Sequence, residues 1–176
     1  MRPEDLVFID ETGMNLSMVR LYGRAVEGQR AYGERPYTRG KNVTLIGALA
    51  LTGFVAGWTI DGGTNGDAFI GEVEQILVPN LWPGACVVMD NLPAHKIEEV
   101  RSALEAIGAR LVYLSPYSPD LNPIETCWSK LKQYLRSVAA RTRDALDQAI
   151  SNAMNLVTIK DIRNWFAHCC YCTSPI

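Results

Sequence analysis

The sequence predicts an α/β domain, a mixed β-sheet flanked by α-helices, and three observations carry that reading. β-rich runs alternate with segments of helical periodicity through the second half of the chain. A pair of β-rich runs joined by a turn signal precedes them, and a hairpin beside strands that alternate with helices calls for both antiparallel and parallel neighbours. Composition is that of a globular protein, 48% apolar and 20% charged, and 176 residues can bury one core and hardly two.

The elements follow in order. "LVFID" (6–10) is a β-rich run ending in an acid. "NVTLIGALALTGFVAGWTI" (42–60) reads as two strands turning at Thr52-Gly53. In "TNGDAFIGEVEQIL" (64–77), Phe69, Val73, Ile76 and Leu77 stand at helical spacing before Pro79. "ACVVMD" (85–90) is a second buried strand ending in an acid. "HKIEEVRSALEAIG" then puts Ile97, Val100, Leu104 and Ile107 on one helical face and stops at Gly108. "RLVYL" (110–114) is the last strand. From Pro123 a helix carries Ile124, Trp128, Leu131 and Leu135 along one stripe, and two further helices fall near 143–155 and 159–168. No repeat or low-complexity linker interrupts the chain.

Charge and cysteine content bound the function classes. The net charge of −2 argues against a protein that lives by gripping nucleic acid, yet the cations are uneven. Arg30, Arg35, Arg39 and Lys41 crowd one stretch; Lys130, Lys132, Arg136, Arg141 and Arg143 crowd another. No apolar run reaches the ~18 residues of a membrane span, and "MRPEDLVFID" has none of the layout of a signal peptide. Five cysteines, an odd number with three at the tail, point to reduced thiols and a cytoplasmic protein. "HCCYC" (168–172) is too tightly spaced for a zinc site.

Three carboxylates stand out. Singly, each has a structural explanation: Asp10 ends a strand, Asp90 opens a turn, and Glu125 completes a capping box with Asn122 as N-cap and Pro123 at the first helical position. Together they read differently, because ligands of open α/β sheets gather at the carboxyl ends of strands. Two strand ends and a helix start converging there would place three acids side by side, which like-charge repulsion opposes unless protons or cations relieve it. Oxygen ligands suit Mg²⁺ or Mn²⁺, and a metal pair clamps both sides of a phosphoryl displacement.

At these residues the sequence resembles a known family. "FIDET" (8–12), "VVMDNLPAHK" (87–96) and "YLSPYSPDLNPIETCWSKLK" (113–132) resemble the three signature blocks of the IS630 group of DDE transposases, relatives of Tc1/mariner, and 34 residues separate Asp90 from Glu125, the spacing of a D-D-34-E member. "RGKNVTLIGALALTGFVAGWTIDGGTN" (39–65) resembles the group's hairpin. The resemblance implies an RNase H-like fold, a five-stranded mixed sheet with helices on both sides, with residues 1–176 as one catalytic domain. It implies Asp10, Asp90 and Glu125 as catalytic ligands of two Mg²⁺ or Mn²⁺ ions, in a transposase and endonuclease that hydrolyses DNA at transposon terminal inverted repeats. The freed 3′-hydroxyl would then be joined to a TA target, and synapsis of two ends implies a homodimer. Asn91 and His95 match the group's "DN…H" block as supporting residues, and Asn122 helps to set where the Glu125 helix begins. Arg39, Lys41, Lys132 and Arg136 are the expected DNA contacts; Lys132 and Arg136 share a helical face with Glu125.

Group members carry helix-turn-helix modules before the catalytic domain; with Asp10 within ten residues of residue 1, the expectation for residues 1–176 is a catalytic domain without that module. Three rivals stand beside this reading: a ribonuclease H or junction resolvase, a non-enzymatic remnant or DNA-scaffolding dimer, and a small-molecule metal phosphohydrolase. The last lacks a Gly-rich phosphate loop.

Overall fold

The computed structural model describes residues 2–63, 66–90 and 98–172. Five strands form one sheet in the order β3-β2-β1-β4-β5. They are β1 (Leu6–Met14), β2 (Val43–Ala50), β3 (Gly53–Asp61), β4 (Cys86–Met89) and β5 (Arg110–Tyr113). The first three pair antiparallel, while β1–β4 and β4–β5 pair parallel, so the sheet is mixed as the element order requires. The expected hairpin turn is present, with Gly53 at φ 137°, a conformation that side chains with a Cβ rarely adopt.

Alternation along β1 sorts the core into two layers. Leu6, Phe8 and Met14 belong to the layer under the C-terminal helices, whereas Val7 and Ile9 face the other side. The first layer is closed by α3 (Pro123–Val138), α4 (Arg143–Asn155) and α5 (Ile159–His168), through Trp128, Leu131, Leu146, Ile150, Ile162 and Phe166 among others. The second is closed by α1 (Gly66–Glu72) and α2 (Glu98–Ala106), through Phe69, Val100 and Leu104.

The structure departs from sequence expectation in two elements. β1 does not end at Asp10; it continues to Met14 because Glu11–Met14 pair with Val43–Ile46 of β2. What ends near Asp10 is the pairing with β4, whose last matched pair is Phe8 with Val88. Of the segment expected as one helix over 64–77, residues 64 and 65 lie outside the described residues and the rest is α1 followed by a π turn (Val73–Leu77) and a 3-10 turn (Val78–Asn80). Phe69, Val73 and Leu77, four apart, are all buried, a spacing that the wider turn accommodates. The N-terminal part of the helix expected from His95, with Ile97, lies outside the described residues. The last two helices begin and end where the periodicity put them.

Candidate active site

Asp10 lies mid-strand, 7% exposed, on the sheet face that α3 covers. Its partner is a residue that sequence reasoning assigned only to the apolar stripe: the Trp128 indole Nε1–H donates to Asp10 Oδ2 at 3.0 Å. A buried indole needs an acceptor, so Trp128 carried a signal that its place in an apolar stripe concealed. Across the sheet, Gly47 stands level with Asp10, and a Cβ there would meet the Trp128 ring at 2.5 Å.

Asp90 follows β4 directly. The β1–β4 register runs Leu6 to Cys86, Val7 to Val87 and Phe8 to Val88, so continued by two residues it would set Asp90 level with Asp10. Alternation from Val88 turns Asp90 toward the α3 side as well. Glu125 is exposed in the first turn of α3. Glu125 and Asp90 both act on Asp10. Burial, foremost, and the charges of these two acids push the Asp10 carboxyl up to about 7, against the opposing pull of the Glu11 backbone N–H and the Trp128 indole.

The capping box expected at Glu125 does not form. Asn122 is the N-cap residue by position and is 4% exposed, but its side chain makes no cap hydrogen bond and its Oδ1 has no partner. The helix start is instead closed through backbone, from Glu125 N–H to Asn122 O at 3.1 Å. Its approach is held from the C-terminal tail, where Tyr171 Oη–H donates to Leu121 O at 2.9 Å and the ring packs on Phe8 and Phe166. This gives the cysteine-rich tail a role in packing, with Cys169 buried beside Tyr171. Glu125 also borders a cleft of about 350 Å³ with Asp120, Thr126, Ser129 and His168, the last a histidine the sequence did not single out. Among the described residues, no three His, Cys, Asp or Glu side chains form a group placed to hold a metal ion. Asn91 and His95 lie outside the described residues.

A cationic groove adjoins the acids. Arg39, Lys132 and Arg136, three of the four expected DNA contacts, line one groove of about 320 Å³ together with Arg35, Gly13 and Asn15. Gly13 is three residues beyond Asp10 on β1, and Lys132 is two helical turns beyond Glu125, so the groove begins about 10 Å from the acids on either element. It shares Leu21 and Arg136 with a larger groove of about 620 Å³ that adds Arg20, Tyr22, Lys130 and Tyr134. Lys41 is exposed and lines neither. The loop that brings Arg35 and Arg39, residues 15–42, is pinned at its root: Leu16 N–H donates to Arg39 O at 3.2 Å, and Arg141 Nη1 donates to Leu16 O at 2.9 Å.

Comparison with known proteins decides the family. The profile of the DDE superfamily endonuclease family matches residues 5–147. The chain belongs to that family. The Tc1 transposase of Caenorhabditis elegans is 32% identical to this family member over 83 residues, which are 47% of this chain and 30% of that protein. A pre-cleavage Mos1 transpososome superposes with a TM-score of 0.81 at 18% identity, over 96% of this chain and 54% of that one. The Mos1 paired-end complex with the left transposon end gives 0.79 at 18%, over 94% and 52%. The catalytic domain of Mos1 mariner transposase gives 0.68 at 13%, over 96% and 78%. The family member described here thus has the Mos1 catalytic fold, the RNase H-like mixed sheet expected from its sequence, and is related to the Tc1/mariner transposases. It spans about half the length of the longer Mos1 chains and under a third of Tc1.

Proposed function

We propose that residues 1–176 act as the catalytic domain of a DDE transposase, cutting DNA at transposon ends with divalent cations and joining the freed 3′-hydroxyl to a TA target. Asp10, Asp90 and Glu125 are the residues we assign to hold the metal. The observation that carries this reading is the placement of Asp10: a buried carboxyl on the sheet face that α3 covers, with Asp90 just past the end of the neighbouring parallel strand and Glu125 in the first turn of that helix. A cation is the natural relief for that arrangement.

The donors fit the group in chemistry. All three are hard carboxylate oxygens, the set that Mg²⁺ and Mn²⁺ prefer, and Mos1 has been solved in paired-end complexes with Mg and with Mn. The side chains do not stand together as a finished coordination set, so closing the site would require Glu125, exposed and unburdened by a cap, to turn inward. When bound, the metal supplies Lewis-acid charge at the scissile phosphate. The protein's own residues do the rest. The indole of Trp128 holds one Asp10 oxygen, the start of α3 presents Glu125, and Arg35, Arg39, Lys132 and Arg136 take the DNA backbone that leads from the acids. The DNA partner is supported by that groove and by the Mos1 complexes with transposon ends; a homodimer would follow from pairing two ends.

Nicking of supercoiled DNA in Mn²⁺ tests the assignment. Asp90→Asn should lose metal-dependent nicking while keeping the far-UV spectrum of the wild type. A folded variant that still cuts would sink the role given to Asp90.

A further inference from the structure

We infer that Trp128 is a positioning residue for Asp10, its indole N–H fixing the carboxylate in one orientation so that a single oxygen faces the incoming metal, with Gly47 providing the space that this grip needs. The inference rests on Asp10 being a metal ligand. Four observations converge on it. The bond, Nε1–H to Oδ2 at 3.0 Å, joins residues 118 apart in sequence, and both are buried, 2% and 7% exposed. Trp128 sits three residues beyond Glu125 on α3, so one helix turn carries both a proposed ligand and the clamp on another. Gly47 is paired with Asp10 in the β1–β2 register, and a Cβ there would stand 2.5 Å from Cη2 and 3.3 Å from Cζ2 of the indole. Phe54 stacks on the ring from β3, centroids 6.3 Å apart and 30° between planes, which limits its freedom to swing aside.

The chemistry explains why an indole suits this place. It donates and cannot accept, so it favours an ionised acceptor, and by occupying one carboxylate oxygen it leaves the other for the metal. A phenylalanine would fill the same core without that bond. Residues that orient a metal ligand are worth roughly 10–100-fold in metal affinity, and an ungripped Asp10 would have to lose side-chain freedom at the moment of binding.

The test compares wild type, Trp128→Phe and Asp10→Asn by Mn²⁺ calorimetry, together with the indole N–H resonances of ¹⁵N-labelled protein titrated with Mg²⁺. Trp128→Phe is expected to keep a cooperative melt and to bind Mn²⁺ at least about tenfold more weakly. The resonance missing from that variant identifies Trp128; it should move on Mg²⁺ addition in the wild type and stay still in Asp10→Asn. A purely structural tryptophan would change the melt alone: Mn²⁺ affinity within about twofold of wild type in Trp128→Phe overturns the inference, and so does an unmoved resonance at saturating Mg²⁺. Should Trp128→Phe fail to fold, Trp58→Phe, Trp82→Phe and Trp165→Phe assign the other three indoles, and the wild-type resonance that remains decides. Undiminished Mn²⁺ binding by Asp10→Asn would remove Asp10 from the ligand set, and the inference would fall with the reading beneath it.

Discussion

Asp10 is set against itself. Burial and two neighbouring acids favour its protonated form, while an indole and a backbone N–H favour the carboxylate, and the outcome is a pKa of about 7. The sign for stability follows from linkage: a folded-state pKa above the ordinary value gives stability that is complete at low pH and is lost as pH rises through about 7. The metal-free protein should therefore weaken between about pH 4 and 7, on the order of a few kcal/mol. Asp10→Asn, which keeps an oxygen for Trp128, should flatten that part of the profile and melt higher than wild type at pH 8 in chelator. A variant with the wild-type pH profile would place the lost stability elsewhere. At Gly47, Ala should destabilise by about 1–3 kcal/mol, the usual range for overpacking, measured by urea melts; no effect would mean that the indole can move.

At the scale of elements, α3 is the working part, and its start and its middle are held differently. Its start has no side-chain cap, so Glu125→Gln should shift stability by no more than about 0.5 kcal/mol, a dipole effect only, while nicking is lost. A large loss of stability would restore Glu125 to a capping role. Toward its middle, Lys130 Nζ meets Asp161 Oδ2 at 2.5 Å, and Asp161 closes a capping box with Thr158 at the start of α5. Lys130 and the Thr158 hydroxyl hold the Asp161 carboxyl at about 2. Its contribution is present above the ordinary carboxylate range and is lost as pH falls through about 2, the opposite sign to Asp10. Asp161→Asn should cost about 1 kcal/mol as a damaged cap, read by thermal melts at neutral pH.

Much of this element structure was legible in the chain because it rests on local signals. The stripe of Ile124, Trp128, Leu131 and Leu135 fixes α3 from within the helix, and α4 and α5 carry their own caps at Thr142 and Thr158, which the sequence reading of those two helices did not name. The extension of β1 to Met14 was not legible, because it depends on pairing with a strand some thirty residues away. The same holds for the site. Three acids were visible as residue types at a spacing, but the Trp128 bond to Asp10 joins distant segments, and the missing cap at Asn122 depends on how the turn before it packs. Tyr171, gripping Leu121 from the tail, gave no local sign at all.

For the whole molecule, a net charge of −2 hides a strong local field. The β1–β2 loop carries Arg20, Arg24, Arg30, Arg35, Arg39 and Lys41 against only Glu27 and Glu34, and it meets the outer face of α3 in the groove beside the acids. Lys132 and Arg136 replaced together by Ala should weaken DNA binding across sequences alike and lower the slope of log affinity on log salt by about 2. An unchanged slope would place the DNA elsewhere. The central claim, however, is that acids from β1, the end of β4 and the start of α3 share one cation site. Mn²⁺ binding by calorimetry at pH 8, wild type against Asp10→Asn and Glu125→Gln, tests it most directly. Binding in the wild type that is lost in both variants is the expected result, since residues 115 apart would then serve one ion. Equal binding in all three proteins, or none in any, would contradict the shared site.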